Sequence, residues 1–284
     1  MDAQLQVRAG LLSRSRLRAL SSVCVALLAS CHDATGPAYS NRYDLTFDDA
    51  WGIFETRVDT IRVWPVMQDT LTAYYASWSP DGRFAAFTRE YCAAGGCLTS
   101  YGVVVYSSAD GSERSLTQGT DDYYPAWSPD GRRIAYLSAG TLHTIRPDGT
   151  GDQQLDTTQY FPSPPSWSPD SRYLAATRAD LMIVVIDAVT GTEIRSIAPG
   201  EGLTWSPDGR RIAYGSNGIT IADADGRNAR VIPFVGYDPT WSPDGNWIAV
   251  DNGAGVFLIP PDATDTSQVR FVAPYDRPAW RLRQ

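Results

Sequence analysis

Short apolar runs alternate with turn-forming clusters along most of the chain. One unit reads Tyr124-Pro125-Ala126-Trp127, then Ser-Pro-Asp-Gly, then Ile134-Ala135-Tyr136-Leu137. Runs this short, bounded by turn signals and rich in β-branched and aromatic residues, predict strands rather than helices. The Asp-Gly pairs predict tight hairpins, because Gly accepts positive φ and Asp caps its own backbone. A third run follows in each unit, such as Gly102 to Tyr106 (GVVVY) or Leu181 to Ile186 (LMIVVI). Further turns are expected at Asp110-Gly111, Asp148-Gly149 and Asp225-Gly226, each leading into a more polar fourth strand such as Glu113 to Leu116.

The unit is a repeat. Trp78, Trp127, Trp167, Trp205 and Trp241 each open a Trp-Ser-Pro-Asp-Gly motif (Ser171 replaces Gly in the third), and Trp280 stands in a truncated sixth copy. The Trp spacings are 49, 40, 38, 36 and 39 residues. Four short strands at this period predict an all-β fold, a β-propeller of four-stranded blades. The terminal Pro278-Ala279-Trp280 strand lacks partners of its own. Tyr43 to Phe47, Gly52 to Thr56 and Thr60 to Pro65 read as the second, third and fourth strands that would complete it. The expectation is a six-bladed β-propeller over residues 43–284, its ring closed by pairing the N-terminal blade strands with the C-terminal strand, which removes exposed sheet edges. The motif residues then have structural work: Trp fills the wedge between blades, Pro ends a ladder, and Asp-Gly sets the hairpin.

The WSPDG-x-x-IAY pattern resembles the TolB-type propeller repeat, also called the WD-like or PD-type repeat, over roughly residues 43–284. The resemblance implies a periplasmic or surface-exposed binding scaffold, although fold alone does not set function. TolB-type proteins carry an additional N-terminal α/β domain, whereas here a short tether leads directly into the first expected strand. Similar propellers gate prolyl-oligopeptidase-like enzymes, which add a separate hydrolase domain.

Residues 1–30 predict an export signal, with Arg8, Arg14, Arg16 and Arg18 ahead of a twelve-residue apolar run, Ala19 to Ser30. That run is too short to span a bilayer. It ends Leu28-Ala29-Ser30-Cys31, which resembles the bacterial lipobox and implies lipidation of Cys31. Residues 31–42 are polar and rich in small residues, as expected of a flexible tether. Cys92 and Cys97, in YCAAGGCL, are expected to pair as a disulfide after export. A zinc site there would need two further ligands, and beyond the signal the chain offers His32 and His143 alone as histidines. No metal and no cofactor are expected.

Charge and motifs then narrow the function. Removing the four arginines and one aspartate of residues 1–30 takes the formal net charge from −8 to about −11. That balance argues against a nucleic-acid partner. Every basic residue is Arg, which reads as genome composition more readily than as selection for bidentate pairing. Tyr214-Gly215-Ser216-Asn217-Gly218 is not a nucleophile elbow, and His143 sits in a predicted third strand. Neither a phosphate loop nor an HExxH motif occurs. The candidate site lies in the loops entering each inner strand, which should crowd one mouth of the channel. They carry Tyr74, Tyr75, Asp121, Asp122, Tyr123, Tyr124, Tyr160, Phe161, Glu201, Tyr237, Asp238, Tyr275 and Asp276. This Tyr-rich acidic collar suits recognition, and the Thr88 to Tyr101 loop is expected to shape its rim. The expected function is non-enzymatic binding by a monomeric, lipid-anchored envelope protein, with an envelope protein, peptide or glycan as partner. The alternative is an enzyme, a polysaccharide lyase or hydrolase, acting at the same mouth.

Overall fold

The computed structural model describes residues 43–49, 52–56, 63–68, 73–92, 99–117 and 121–282. The expected signal, the tether, Cys31 and Cys97 fall outside them. The fold is all-β. Five of its sheets are four-stranded blades, each drawn from one continuous segment with its strands in sequence order. To number them in chain order, the N-terminal strands come first: β1 (Tyr43–Asp49), β2 (Gly52–Thr56) and β3 (Val63–Gln68). The Trp78 blade holds β4 (Ala73–Trp78), β5 (Phe84–Cys92), β6 (Thr99–Ser107) and β7 (Glu113–Ser115). The Trp127 blade holds β8 (Asp122–Trp127), β9 (Ile134–Ser138), β10 (Thr141–Ile145) and β11 (Gln153–Gln154). The Trp167 blade follows with β12 (Ser166–Trp167), β13 (Tyr173–Thr177), β14 (Met182–Asp187) and β15 (Glu193–Pro199). The Trp205 blade is β16 (Glu201–Trp205), β17 (Arg211–Gly215), β18 (Ile219–Asp223) and β19 (Arg230–Ile232). The Trp241 blade is β20 (Tyr237–Trp241), β21 (Ile248–Asp251), β22 (Val256–Ile259) and β23 (Arg270–Ala273). The last strand, β24 (Asp276–Leu282), pairs with β1, giving a composite four-stranded sheet in the order β24-β1-β2-β3.

The repeated motif builds the same turn in each continuous blade. In the Trp127 blade, Ser128 Oγ donates to Asp130 Oδ1 (2.6 Å), which also accepts from Arg132 N (3.0 Å). Ser128 Oγ in turn accepts from Arg133 N (2.9 Å), so both side chains satisfy turn donors that the sheet cannot reach. Ser79–Asp81, Ser168–Asp170, Ser206–Asp208 and Ser242–Asp244 repeat this arrangement.

The tryptophans sit between blades, as the repeat implied. Trp127 packs with Ile134, Tyr136 and Ile145 of its own blade on Ala86, Val103, Val105 and Leu116 of the blade before. Trp167 Nε1 donates to Ala126 O (2.9 Å) and Trp280 Nε1 to Thr240 O (3.2 Å), each reaching back one blade. Arginines cover several of these rings: Arg133 lies 4.8 Å from the Trp167 ring and Arg211 lies 4.9 Å from Trp241.

Two expectations change. Within the expected Thr88 to Tyr101 loop, Thr88 to Cys92 and Thr99 to Tyr101 are strand, because β5 and β6 stay paired from Phe84↔Ser107 to Cys92↔Thr99. Thr, Tyr and Val along both arms favour continued pairing, so the hairpin projects well beyond its neighbours. In the Trp167 blade the inner strand shrinks to two residues, because Pro162, Pro164 and Pro165 remove the donors that would extend it.

Candidate functional site

Each inner strand runs along the channel from one mouth to the Ser-Pro-Asp-Gly turn at the other. The residue three before each Trp is unusual. Tyr75 (φ 57°), Tyr124 (φ 57°), Gly202 (φ 61°), Asp238 (φ 46°) and Arg277 (φ 50°) all occupy the left-handed region there. Pro164, at the equivalent place in the Trp167 blade, cannot, since its ring fixes φ negative. The pairing register shifts at the same point: between Tyr74 and Ser77, Tyr123 and Ala126, Glu201 and Thr204, and Tyr237 and Thr240. A bulge at this spot re-aims the side chain. Left-handed backbone is uncommon in non-glycine residues and is costly for bulky ones. Here it recurs in four of them on separate sheets.

The side chains so placed meet. Tyr75, Asp238 and Arg277 line a channel cavity of about 370 Å³, together with Trp78, Trp127, Trp167, Trp205, Trp241 and Trp280 and the prolines beside them. The Tyr75 and Tyr124 rings stand 4.4 Å apart edge to face. Arg277 places its guanidinium 4.7 Å from the ring centroids of both Tyr74 and Tyr75. Its Nη1 donates to Asp48 Oδ1 (2.6 Å), and Asp48 is fully buried. Burial works against the Arg277 charge, but Asp48 and Tyr75 outweigh it and push its pKa up. Burial raises the Tyr75 phenol pKa, with Asp238 adding to it, and raises Tyr124 further, with Tyr75 and Asp238 adding to it. Both tyrosines are therefore neutral at physiological pH, each presenting a hydroxyl that can donate or accept. The mouth combines one guanidinium, two carboxylates and an aromatic wall.

The sequence-derived collar is only partly assembled. Tyr74, Tyr75, Tyr124 and Asp238 gather at this mouth. Tyr123 contacts both Tyr124 (5.8 Å) and Tyr101 (4.8 Å) and hydrogen-bonds Asp121, while Tyr237 is exposed on the rim. Asp122 is buried within β8. Tyr160 is buried: it shares a cluster with Tyr124 and Trp167, against which Tyr75 and Tyr123 pack, and it donates to Asp156 Oδ2 (2.6 Å). Phe161, next in the chain, is half-buried. At the last inner strand the reading was one residue early, since Arg277, not Tyr275 or Asp276, is the equivalent of Tyr75. Counting back three residues from each Trp would have found Arg277. Asp48 had no such signal, because it faces the mouth only through the composite sheet. His143 lies in β10 as expected, 3.2 Å from Thr141 Oγ1. Among the described residues no group of three or more His, Cys, Asp or Glu side chains could hold a metal ion. The expected Cys92–Cys97 bridge depends on Cys97 and so lies outside the described residues.

No protein-family model and no curated protein matches the chain. Solved structures do resemble it. TolB from Acinetobacter baumannii is similar over 84% of this chain, with TM-score 0.66 and 16% identity. The chain has a TolB-like β-propeller fold. It spans 66% of that TolB's own length, just under two thirds. A chain of the nidogen/laminin complex is similar over 85% of this chain and 99% of its own length, with TM-score 0.66 and 12% identity. An oligogalacturonate lyase from Vibrio parahaemolyticus is similar over 71% of this chain and 68% of its own, with TM-score 0.53 and 10% identity. At these identities the likeness is one of fold.

Proposed function

We propose that this TolB-like propeller is a non-enzymatic binding module of the bacterial cell envelope, recognising a protein, peptide or glycan at the mouth lined by Tyr75, Tyr124, Asp238 and Arg277. The observation that carries the reading is the left-handed residue that recurs three before five of the six repeat tryptophans. Strain of this kind persists where the surrounding structure enforces it, and it concentrates at sites that bind or react. Here it turns an aromatic pair, a carboxylate and a guanidinium from separate sheets into one opening. In the same reading the composite sheet completes a ring of six blades, and residues 1–30 direct export. Cys31 carries the lipid that holds the propeller at the envelope, residues 31–42 are the tether, and Cys92 bonds Cys97.

The test is crosslinking of the lipidated protein in its native envelope followed by mass spectrometry, comparing the wild type with D238A/Y237A and with the turn-face variant R132A. The expected result is a partner captured by wild type and R132A and lost from D238A/Y237A. Equal capture by a folded collar variant overturns the reading. A second reading, an enzyme at the same mouth, draws on the fold shared with the oligogalacturonate lyase. Unsaturated product formed from oligogalacturonate and abolished in D238A would favour it.

A further inference from the structure

Asp48 joins three pieces of chain that are far apart in sequence. It lies on β1, at the register shift opposite Asp276 of β24. Its Oδ1 accepts from Arg277 Nη1 of β24 (2.6 Å), and its Oδ2 accepts from the backbone N of Tyr75 on β4 (2.6 Å). The N-terminal strand, the C-terminal strand and the first continuous blade therefore meet on one carboxylate with no exposure to water. Both residues it grips have left-handed backbone. At the position on β5 that corresponds to Asp48, Thr88 Oγ1 accepts from Tyr124 N (3.1 Å). A hydroxyl is enough there to hold the strained residue of the next blade, so the charge at Asp48 serves Arg277.

We propose that Asp48 is a proton-operated latch of the channel mouth: ionised, it pins Arg277 and the Tyr75 backbone together; protonated, it releases Arg277 from its ion pair and lets the Tyr74–Tyr75–Tyr124 wall rearrange. The consequence for ligand binding rests on the mouth being the binding site; the latch itself does not. Arg277 transmits the change because it lies against the Tyr74 and Tyr75 rings, and Tyr75 lies against Tyr124. The groups facing Asp48 are few. β24 supplies Arg277 and Asp276, β4 supplies Tyr75, and β2 places Ile53 directly opposite. Asp238 of β20 acts on Tyr75 and Tyr124 beyond them.

The titration falls in a useful range. Desolvation pushes the Asp48 carboxyl from its ordinary 3.8 up to about 6, with the Arg277 charge pulling down and Asp276 pushing up. Because the folded pKa is the higher one, the native state holds a proton that the unfolded chain has lost between those values. The stability this proton contributes is fully present below about 3.8 and is lost as pH rises through about 6.

The experiment uses the full chain without ligand. Near-ultraviolet circular dichroism of the tyrosines is followed from mildly acidic to neutral pH in the wild type, D48N and R277Q. The wild type should show a transition with a midpoint near 6, and D48N should lose it. R277Q should move the midpoint to higher pH, because the cation that lowers the Asp48 pKa is gone. A transition that survives in D48N, or a midpoint unmoved or lowered in R277Q, overturns the latch. If D48N does not fold, infrared difference spectroscopy of wild type against R277Q decides. A buried carboxyl that titrates in the ordinary range, or one unaffected by R277Q, overturns it equally. A latch without a captured partner removes only the binding reading, and a partner without a pH transition removes only the latch.

Discussion

Two seams border the Trp78 blade, and they are built from different chemistry. On one side the Trp127 blade packs its tryptophan into Ala86, Val103, Val105 and Leu116, and two side-chain hydroxyls cross it, Ser77 accepting from Trp127 N (3.0 Å) and Thr88 from Tyr124 N (3.1 Å). On the other side the composite sheet presents Asp44, Thr46 and Asp48, all buried, at alternate positions of one β1 face. Thr46 Oγ1 accepts from Trp78 Nε1 (2.9 Å) and donates to Ala279 O (3.0 Å). Arg281 lies 4.3 Å over the Trp78 ring, pairs with Glu55 (2.7 Å) and donates through Nε to Gly82 O (3.2 Å). Apolar contact continues beside them through Ile53, Ala73, Phe87 and Val104.

The difference follows from what each seam must specify. Any Trp can fill any hydrophobic gap between similar blades, so the apolar seams are interchangeable. The composite sheet must join one particular pair of strands, β1 and β24. Buried polar groups have directional partners and a high cost when left unpaired, which makes a wrong pairing unfavourable.

Glycine gives the sharpest way to break this comparison. Gly82 and Gly131 occupy the same turn position with φ near +70°. A Cβ at Gly131 would meet Pro80 at an ordinary 3.6 Å, whereas at Gly82 it would lie 2.2 Å from the carbonyl oxygen of Leu282. Ser171 already holds this position with φ 58° in the Trp167 blade, so a side chain is tolerated where space exists. Gly131→Ala should therefore cost roughly 1–2 kcal/mol, the penalty of left-handed backbone. Gly82→Ala should cost more than about 4 kcal/mol, because the C-terminal strand must move. Urea unfolding of the two variants measures the gap, and equal midpoints would show that the closing joint is not tight.

Removing one hydroxyl at each seam gives a smaller contrast. Thr46→Val strands a buried indole donor and the Ala279 carbonyl, at an expected cost of about 1–3 kcal/mol. Ser77 is only half-buried, so Ser77→Ala should cost about 0.5–1.5 kcal/mol. Chemical denaturation that ranks them in the opposite order would remove the claim that the composite seam depends on polar pairing.

The smallest effect belongs to the repeated turns. The Ser206 hydroxyl and the Arg210 amide hold the Asp208 carboxyl below its ordinary value, against slight desolvation. A lowered folded pKa stabilises above the ordinary carboxylate range and is lost as pH falls through the folded value. Ser206→Ala should raise the Asp208 pKa and slightly lower stability at neutral pH, the loss fading as pH falls below the carboxylate range. Carboxyl chemical shifts followed by NMR across the acid range would show this. An unshifted Asp208 would mean that the hydroxyl contributes nothing to the turn's charge state.

Much of the fold was legible along the chain. The Trp-Ser-Pro-Asp-Gly spacing located each continuous blade, because the turn chemistry is local: Ser and Asp side chains satisfy donors within five residues. The order of the composite sheet was also readable, since a lone terminal strand requires partners. The site was less so. The loops entering the inner strands were named, but Arg277, which lies against Tyr74 and Tyr75, was not. Periodicity carries no mark for a backbone that turns left-handed, and the bulge that aims Arg277 exists only once β24 has paired with β1.

The amino-acid sequence by itself determined the blade, its turns and the Trp at each seam, all set by interactions that close within one repeat. Only the tertiary structure decided that Asp48 would face Arg277 across 229 residues of chain. A carboxylate and a guanidinium so far apart have no local reason to meet; the pairing of β1 with β24 brings them together, and one of them is cut off from water. The charge, and with it the character of the channel mouth, is therefore a property of the composite sheet rather than of any repeat.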